Sequence, residues 1–388
     1  MSMRTSANFS IQHSLSLLQA KLFVEKLADH DSEISDVLNN EKLLAVDDVV
    51  HIASKYGFHF NLSTLYEYLD FLVSSRLPAD ECIQRAQWSS SLVTPLATND
   101  HQPRLTHALR LSNVERCQVY TGDVLIFSEL RSFNLLRTSL EDTIKDALKI
   151  DDLSRTHELL SQDVFHVRVK RAYEQVKNSS AIPRFISSIL SELCLDPETV
   201  LWEWPSFRIF FPTDLMDRGL YRGSPTRDLI PHRDTWYGSP QHQINFWAPI
   251  SRLEPDQSLH IYPSYFCKQI LNTSSLRDIW LHRVGFSIVP LLQQTIGIED
   301  SICPSLSVGE ALCFSGHQIH SSPRPSKLLT RASLEFRICC QNDISQAQIP
   351  PNIDYGGRGE IYTNWFNSSG VETNYYSNNP LSKPGPMR

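Results

Sequence analysis

The amino-acid sequence lacks the features that mark secreted, membrane-spanning and nucleic-acid-binding proteins. Its eight cysteines are scattered apart from one adjacent pair, and no C-x-x-C occurs, so a disulfide framework is not expected. There is no run of about 18 apolar residues, and the N-terminal stretch has no apolar core of the kind that signal peptides carry. The net charge is −7 with dispersed lysines and arginines, which disfavours a nucleic-acid surface. These absences predict a cytoplasmic protein with reduced thiols and with no nucleic-acid or membrane partner.

The composition that remains is that of an ordinary globular protein. Hydrophobic residues make up 41% of the chain and charged residues 20%, and 388 residues are enough for two or three domains. Changes in composition predict four parts along the chain. They are a helical domain at 1–77, a polar linker at 78–108, a β-rich domain with helical support at 109–348, and a C-terminal arm at 349–388.

Short amphipathic helices are predicted within residues 10–77. Apolar residues recur there at helical spacing, as at Val46, Val49, Val50 and Ala53. Gly57 is placed to end that helix. The element IASKYGFHF at 52–60 resembles the nitrogen-fixation-associated leader-domain family, which includes leader peptides of ribosomally made, modified peptides. The resemblance implies that this segment docks a peptide, and a plain helical bundle is the alternative.

Helical patterns dominate from 133 to 200, and strand patterns dominate from 200 to about 345. The candidate strands are rich in β-branched and aromatic residues; they are FRIFF, HQINFWAPI, SLHIYP, GEALCFSG and RASLEFRICC. A further strand, turn and strand are predicted for CQVYTGDVLIF at 117–127. Many short strands at close spacing favour a jelly-roll sandwich or barrel, so the predicted fold class is α+β.

His232 and Asp234 are separated by one residue and are candidate metal ligands. On a strand their side chains would project from one face, because side chains alternate with a period of two. Two histidines and one carboxylate hold Fe(II) in non-haem oxygenases and leave three positions open. The pair alone is common by chance, so the third ligand and its surroundings decide the interpretation.

The downstream segment GEALCFSGHQIHSSPRPSKLLTRASLEFRI supplies candidates for the rest of the site. His320 follows a strand, and Arg331 comes eleven residues later on the next strand. The planar guanidinium of Arg331 suits a carboxylate on a co-substrate, and Ser333 shares its strand face. Gln243 and Asn245 share a face of a neighbouring strand, where they would bind the co-substrate or orient a metal ligand.

In this order, His232-x-Asp234, His320 in HQIHSS and Arg331 in TRASLEFR resemble the Fe(II)/2-oxoglutarate-dependent dioxygenase superfamily, and within it the phytanoyl-CoA dioxygenase-like branch. The resemblance runs from about 205 to 340. It implies a double-stranded β-helix core of the jelly-roll or cupin-like kind. It also implies Fe(II) on the two histidines and Asp234, with the distal carboxylate of 2-oxoglutarate on Arg331. The implied reaction uses O2 and 2-oxoglutarate to oxidise a C–H bond of a small-molecule substrate. Since related halogenases lack the carboxylate ligand, Asp234 disfavours halogenation.

Alternatives remain for two of these roles. His317 competes with His320 as the third ligand. The two histidines are three residues apart, so on a strand their side chains would face opposite ways. Arg337 has the same strand parity as Arg331 and would be the carboxylate clamp in a different register.

The substrate side of the site is less defined by the sequence. Trp236 and Tyr237 follow the metal pair and are assigned either to core packing or to the wall of a substrate pocket. Arg222 is a candidate contact for an anionic substrate or a solvated surface residue. Three other functions stay open: modification of a ribosomally made peptide docked by 1–77, metal or ligand binding without catalysis, and non-oxidative catalysis on a cupin-like fold.

Overall fold

The structure is a computed structural model that describes most of the chain from 103 to 375. The described residues are 19–20, 22–23, 43–44, 53–60, 103–212, 229–254, 257–270, 272, 274, 287–288, 292, 296–322, 329–345, 349–350, 352–355 and 362–375. Nearly all of the predicted helical domain at 1–77, most of the predicted linker at 78–108, and Arg222 lie outside them.

Helices and strands are mixed along the described chain, as the sequence predicts. The strands are β1 (Leu43–Leu44), β2 (Leu105–His107), β3 (Val124–Phe127), β4 (Val200–Glu203), β5 (Ser206–Phe210), β6 (Leu229–His232), β7 (Gln243–Pro249), β8 (His260–Ile261), β9 (Ser287–Ile288), β10 (Ala311–Ser315), β11 (His320–Ser322), β12 (Arg331–Cys340), β13 (Tyr362–Phe366) and β14 (Glu372–Tyr375). The helices are α1 (Asn113–Tyr120), α2 (Arg131–Leu148), α3 (Thr156–Leu159), α4 (Gln162–Lys177), α5 (Ile182–Glu192) and α6 (Gln341–Ser345). Each of the five candidate strands coincides with a strand of the structure.

The chain divides into two compact units. The first comprises Met1–Leu92, Leu271–Gln294 and Asp354–Arg358, and the second comprises Val93–Ile270, Thr295–Ile353 and Gly359–Arg388. In the first unit β1 runs parallel to β9, and the ring of Phe23 packs against those of Phe58 and Phe60. Gly57 has a φ of +84°, and the amide after it donates to the Ala53 carbonyl, which confirms that this glycine ends a helical turn.

The second unit is built around a nine-stranded sheet. Neighbouring strands in this sheet follow the order β14-β13-β4-β12-β7-β10-β3-β2, and β5 pairs with β12 beside β4. All pairs in this sheet are antiparallel except β2 with β3. The ten-residue β12 is therefore central, with β7 along one edge and β5 followed by β4 along the other.

The two faces of this sheet differ because strand side chains alternate. Apolar residues of β12 at 332, 334, 336 and 338 lie in the main core, together with apolar residues of α2, α4 and α5. Each large apolar side chain buried in this way contributes roughly 1.5–3 kcal/mol relative to exposure. The intervening residues, Arg331, Ser333, Glu335 and Arg337, project from the opposite face, which we call the site face.

A three-stranded sheet in the order β6-β11-β8 completes the second unit. Residues of the two sheets share an apolar cluster, which lies on the site face. Its members are Val124, Ile126, Trp247, Leu312 and Phe314 from the larger sheet, Leu259 and Ile261 at the smaller sheet, and Leu306. This packing brings the polar side chains of the site face next to the smaller sheet.

One local prediction was wrong in part. The first half of CQVYTGDVLIF belongs to α1 rather than to a strand. The backbone amide of Ser112 donates to the Glu115 carboxylate at 2.9 Å, a cap that favours a helix start, and Val119 and Tyr120 are buried on one helix face. The second half of the segment is β3, as predicted.

The ends of the predicted catalytic domain also differ from the structure. The last residues of the predicted linker form β2, which pairs with β3 in the larger sheet. The predicted C-terminal arm contributes β13 and β14 to the other edge of the same sheet, where Trp365 packs with Leu201 and Cys339. No helix in the described part of the chain is long and apolar enough to cross a bilayer.

Candidate metal centre

His232, Asp234 and His320 come together where the smaller sheet begins. His232 ends β6, His320 begins β11, and the two residues lie opposite each other in register. Asp234 opens a short 3-10 helix, and its backbone amide donates to the Gly316 carbonyl at 2.9 Å. The carboxylate and ring therefore converge through a turn at the end of the strand, and not by alternation along one strand.

The three side chains have the spacing of a metal site. Their candidate ligand atoms all lie within 4.8 Å of one another. Asp234 Oδ1 is 3.7 Å from His232 Nε2 and 3.9 Å from His320 Nε2. All three residues are buried, with 6% exposure at most. Among the described residues no other group of histidine, cysteine and acidic side chains has this spacing.

His317 lies outside this cluster. It is fully buried, its ring packs edge-on against Phe266 at 5.1 Å, and its backbone carbonyl accepts from Arg233. Burial and the charge of Arg233 hold the pKa of His317 well below its usual value. Of the two histidines that the sequence left in competition, the structure brings His320 to the cluster.

The second oxygen of Asp234 is held by amide donors. Gln243 Nε2 donates to Oδ2 at 2.8 Å, and Asn245 Nδ2 donates to the same atom at 2.6 Å. Both donors are on β7, where alternation places them on one face. With Oδ2 occupied in this way, Oδ1 is the oxygen turned toward the two histidines.

Electrostatics keep this carboxyl ionised. Burial by itself would raise the pKa of Asp234, but the Arg337 charge, a hydrogen bond from His232 and the two histidines outweigh burial and hold it well below its usual range. Arg337 Nε is 3.6 Å from Asp234 Oδ2. The carboxyl of Asp234 is therefore deprotonated, as a carboxylate that binds a metal has to be.

His320 is arranged as a neutral ligand. Its Nδ1 donates to the Gln318 carbonyl at 3.0 Å, which leaves Nε2 as the nitrogen on the Asp234 side. Burial and the neighbouring His232 lower the pKa of His320 to about 4, so its ring is uncharged at neutral pH.

Arg233, between the two candidate ligands, has a structural role that the sequence did not reveal. It is fully buried, and its guanidinium donates to the carbonyls of Tyr265, Phe266, His317 and Lys268. One side chain thus ties residues 265–268 and His317 to the segment that carries Asp234. The sequence signal was weak, because an arginine between two ligands also fits an exposed position.

A pocket adjoins the cluster on the site face. Its wall includes both histidines, Trp247, Phe314, Ser322 and Arg337, and also Arg208 and Glu335. Trp247 Nε1 and Ser322 Oγ have no hydrogen-bond partner among the described residues, although both side chains are 1% exposed. Buried donors normally have partners, so these two atoms could donate to a polar ligand bound in the pocket.

The predicted carboxylate clamp lies beside this pocket rather than in its lining. Arg331 is fully buried, with its guanidinium 4.3 Å from the Phe210 ring centroid and 5.9 Å from that of Trp247. Its Nη1 donates to the Gln257 carbonyl at 2.7 Å. Ser333 is also fully buried, and its hydroxyl has no partner among the described residues. Trp247 therefore lies against Arg331 and also forms part of the pocket wall.

The two aromatic residues after the metal pair occupy different positions. Trp236 is fully buried, which fits core packing. The Tyr237 ring lies edge-on to His232, with ring centroids 5.4 Å apart, and is closer to the site.

Comparison with known proteins gives distant similarity to solved structures. No protein-family model matches the chain, and no curated protein matches it. Among solved structures, EctD from S. alaskensis with bound Fe has 12% identity and a TM-score of 0.35, over 64% of this chain and 80% of that one. EvdO2 from Micromonospora carbonacea var. aurantiaca complexed with 2-oxoglutarate has 13% identity and a TM-score of 0.30, over 45% of this chain and 64% of that one.

A third similar structure is the non-heme alpha ketoglutarate dependent epimerase SnoN from nogalamycin biosynthesis. It has 9% identity and a TM-score of 0.26, over 46% of this chain and 59% of that one. The chain thus spans less than two thirds of EvdO2 and of SnoN. At these TM-scores the similarity does not define the fold or the activity of the chain.

Proposed function

We propose that the protein is a non-haem Fe(II)/2-oxoglutarate-dependent oxygenase that oxidises an unactivated C–H bond of a small molecule. The observation that supports this most strongly is the buried cluster of His232, Asp234 and His320, with ligand atoms within 4.8 Å of one another. Two neutral nitrogens and one carboxylate oxygen are the donor set of mononuclear non-haem Fe(II) sites, which leave three positions for other ligands. We propose these three residues as the iron ligands, in a cytoplasmic enzyme.

The surroundings of the cluster fit a bound divalent ion. The amides of Gln243 and Asn245 fix the carboxylate, and the Gln318 carbonyl fixes the His320 ring. Such outer contacts orient metal ligands and typically matter 10–100-fold for metal affinity. We also propose that the two sheets of the second unit form a double-stranded β-helix, since both are antiparallel around the cluster and share one apolar core.

The pocket beside the cluster supports an anionic co-substrate. The hydroxyl of Ser322 and the indole N–H of Trp247 in the pocket wall are buried donors that a carboxylate would satisfy, and so is the hydroxyl of Ser333, which shares the strand face of Arg331 outside the pocket lining. We propose that 2-oxoglutarate binds here, with its distal carboxylate near Arg331 and Ser333. In the proposed reaction, 2-oxoglutarate, O2 and R–H give succinate, CO2 and R–OH, and the bound iron and co-substrate supply the activation of O2.

The side chains of the pocket have a positioning role in this proposal. The rings of Trp247 and Phe314 form the apolar part of the wall next to the cluster, and the Tyr237 ring packs edge-on against His232. Arg222, the predicted contact for an anionic substrate, lies outside the described residues. The alternative of a peptide substrate depends on residues 1–77, nearly all of which are also outside them.

A direct test is an anaerobic titration of the metal-free protein with Fe(II) and then with 2-oxoglutarate. We expect a weak visible charge-transfer band that forms only when both are present and is absent from His232→Ala. EDTA should abolish succinate formation, and added Fe(II) should restore it. A folded wild-type protein that gives no band would contradict the proposal and favour ligand binding without oxidation.

Replacing Arg331 by alanine should raise the dissociation constant for 2-oxoglutarate about 10–100-fold, since charge-assisted hydrogen bonds contribute about 1.5–3 kcal/mol. The measurement is a titration of the Mn(II)-loaded protein. Oxalate is the matched control ligand, because it chelates a metal but has no distal carboxylate. An equal loss of oxalate affinity, or an unchanged affinity for 2-oxoglutarate, would contradict the clamp assignment.

A further inference from the structure

A connected set of charged side chains extends from the cluster along the site face. Arg337 lies at its centre, with Nε 3.6 Å from Asp234 Oδ2 and Nη2 3.6 Å from Glu335 Oε2. Its Nη1 donates to Glu203 Oε2 at 2.8 Å. Arg208 Nε donates in turn to Glu335 Oε1 at 2.6 Å. Among the described residues, Arg337 is the only arginine or lysine paired with the Asp234 carboxylate.

Arg337 is not needed to orient the Asp234 carboxylate. Gln243 and Asn245 already donate to Oδ2 at 2.8 and 2.6 Å, whereas the guanidinium stands 3.6 Å away from it. Hydrogen bonds of normal length do the positioning, and the longer contact is mainly Coulombic. What Arg337 adds to the site is therefore a positive charge.

A fixed positive charge beside a metal site has two effects of opposite sign. It repels a divalent cation, and it attracts an anion that binds to that cation. Both effects are strengthened because Asp234 is buried and because Trp247 and Phe314 line the same pocket as Arg337. Glu203 on β4, at hydrogen-bond distance, and Glu335 on β12, at 3.6 Å, partly neutralise the guanidinium.

We infer that Arg337 is an electrostatic positioning residue, which weakens divalent-metal binding to the cluster and strengthens binding of an anionic chelating ligand to the metal-loaded site. Glu203 sets how strongly this charge acts. The inference rests on the proposed function, because it assumes that His232, Asp234 and His320 hold the metal. It extends that proposal from the ligands themselves to the balance between metal and co-substrate affinity.

The test measures two affinities on the full-length protein. Mn(II) binding is followed by the loss of the free-ion EPR signal, and oxalate binding is then titrated on the Mn(II)-loaded protein. For Arg337→Gln we expect about tenfold tighter Mn(II) binding and about tenfold weaker oxalate binding. A structural role alone would weaken both, so the opposite signs identify the effect of charge.

Two further variants carry controls. Arg337→Lys keeps the charge and should leave both affinities within about threefold of wild type. Glu203→Gln keeps a side chain of the same shape but removes the neutralising charge, so it should shift both affinities in the direction opposite to Arg337→Gln. If Arg337→Gln does not fold, Glu203→Gln alone still tests the sign.

Distinct outcomes separate the two proposals. The inference alone would be overturned if Arg337→Gln bound Mn(II) more weakly than wild type or equally well. It would also be overturned if Arg337→Lys shifted both affinities as much as Arg337→Gln does, or if Glu203→Gln shifted them in the same direction as Arg337→Gln. A folded wild-type protein that binds no Mn(II) would instead overturn the proposed metal site, and the inference with it.

Discussion

Replacing Asp234 by asparagine should reduce Mn(II) affinity on the order of 100-fold or more and bring succinate formation below detection. The reason lies in the two amides that donate to Oδ2, from Gln243 at 2.8 Å and Asn245 at 2.6 Å. The carbonyl oxygen of an asparagine would take the Oδ2 position to accept both hydrogen bonds. Its NH2 group would then face His232 and His320, and an amide nitrogen of this kind does not bind a metal.

The same hydrogen bonds predict which of two substitutions, Asp234→Ala or Asp234→Asn, leaves the higher Mn(II) affinity. Asp234→Ala leaves space in which a water can approach the metal, so it should bind Mn(II) more tightly than Asp234→Asn, though less tightly than wild type. EPR titration of both variants measures the order, and urea unfolding checks that both are folded. Wild-type affinity in Asp234→Asn would mean that the cluster does not hold the metal. The reverse order of the two variants would contradict the assignment of Oδ1 as the ligand atom.

Replacing Asp343 by asparagine should lower the free energy of unfolding by about 3–5 kcal/mol, because it breaks a buried ion pair on one side only. Asp343 is fully buried in α6 and accepts from Arg116 Nε and Nη2, both at 2.8 Å. The hydroxyl of Tyr120 also donates to it at 2.8 Å. These contacts fix α1 to the end of β12, where Cys340 precedes α6.

Urea unfolding monitored by tryptophan fluorescence measures this loss, and Mn(II) titration of the folded variant should give an affinity within about twofold of wild type. Asp146→Asn is the matched control, because Asp146 is an exposed aspartate paired with Lys149 and its loss should leave stability unchanged. A stability change in Asp343→Asn as small as that of Asp146→Asn would show that the Arg116 pair contributes little. Asp234 and Asp343 are thus expected to separate metal binding from stability.

The strands of the second unit were predictable because their apolar and aromatic residues alternate over short segments. The prediction failed at 117–120, where a strand-like run of residues is part of α1. There the Ser112 cap and the burial of Val119 and Tyr120 against the sheet decide the conformation. Local β propensity is small compared with tertiary packing of this kind, so the sequence pattern was not sufficient.

The predicted clamp illustrates a different gap between pattern and structure. Parity along β12 correctly puts Arg331 and Arg337 on one face, but it does not say which of them reaches the cluster. The structure has Arg337 at Asp234 and Arg331 near the rings of Phe210 and Trp247, outside the pocket lining. The binding site of the 2-oxoglutarate carboxylate remains a prediction that the Arg331→Ala titration tests.

The sequence by itself determined the candidate metal ligands and their order along the chain, namely His232, Asp234 and His320. It also determined a β-rich core able to hold them. Only the tertiary structure decided that His320 and not His317 joins the cluster, that Asp234 presents Oδ1, and that Arg337 supplies a charge beside it. The physical reason is range. Alternation along a strand is a local rule fixed by backbone geometry. The register of β11 against β6 and the position of Arg337 at Asp234 depend on contacts between residues far apart in the chain. The choice of oxygen depends on hydrogen bonds from β7 to the turn after β6, which belong to tertiary structure and not to a single strand.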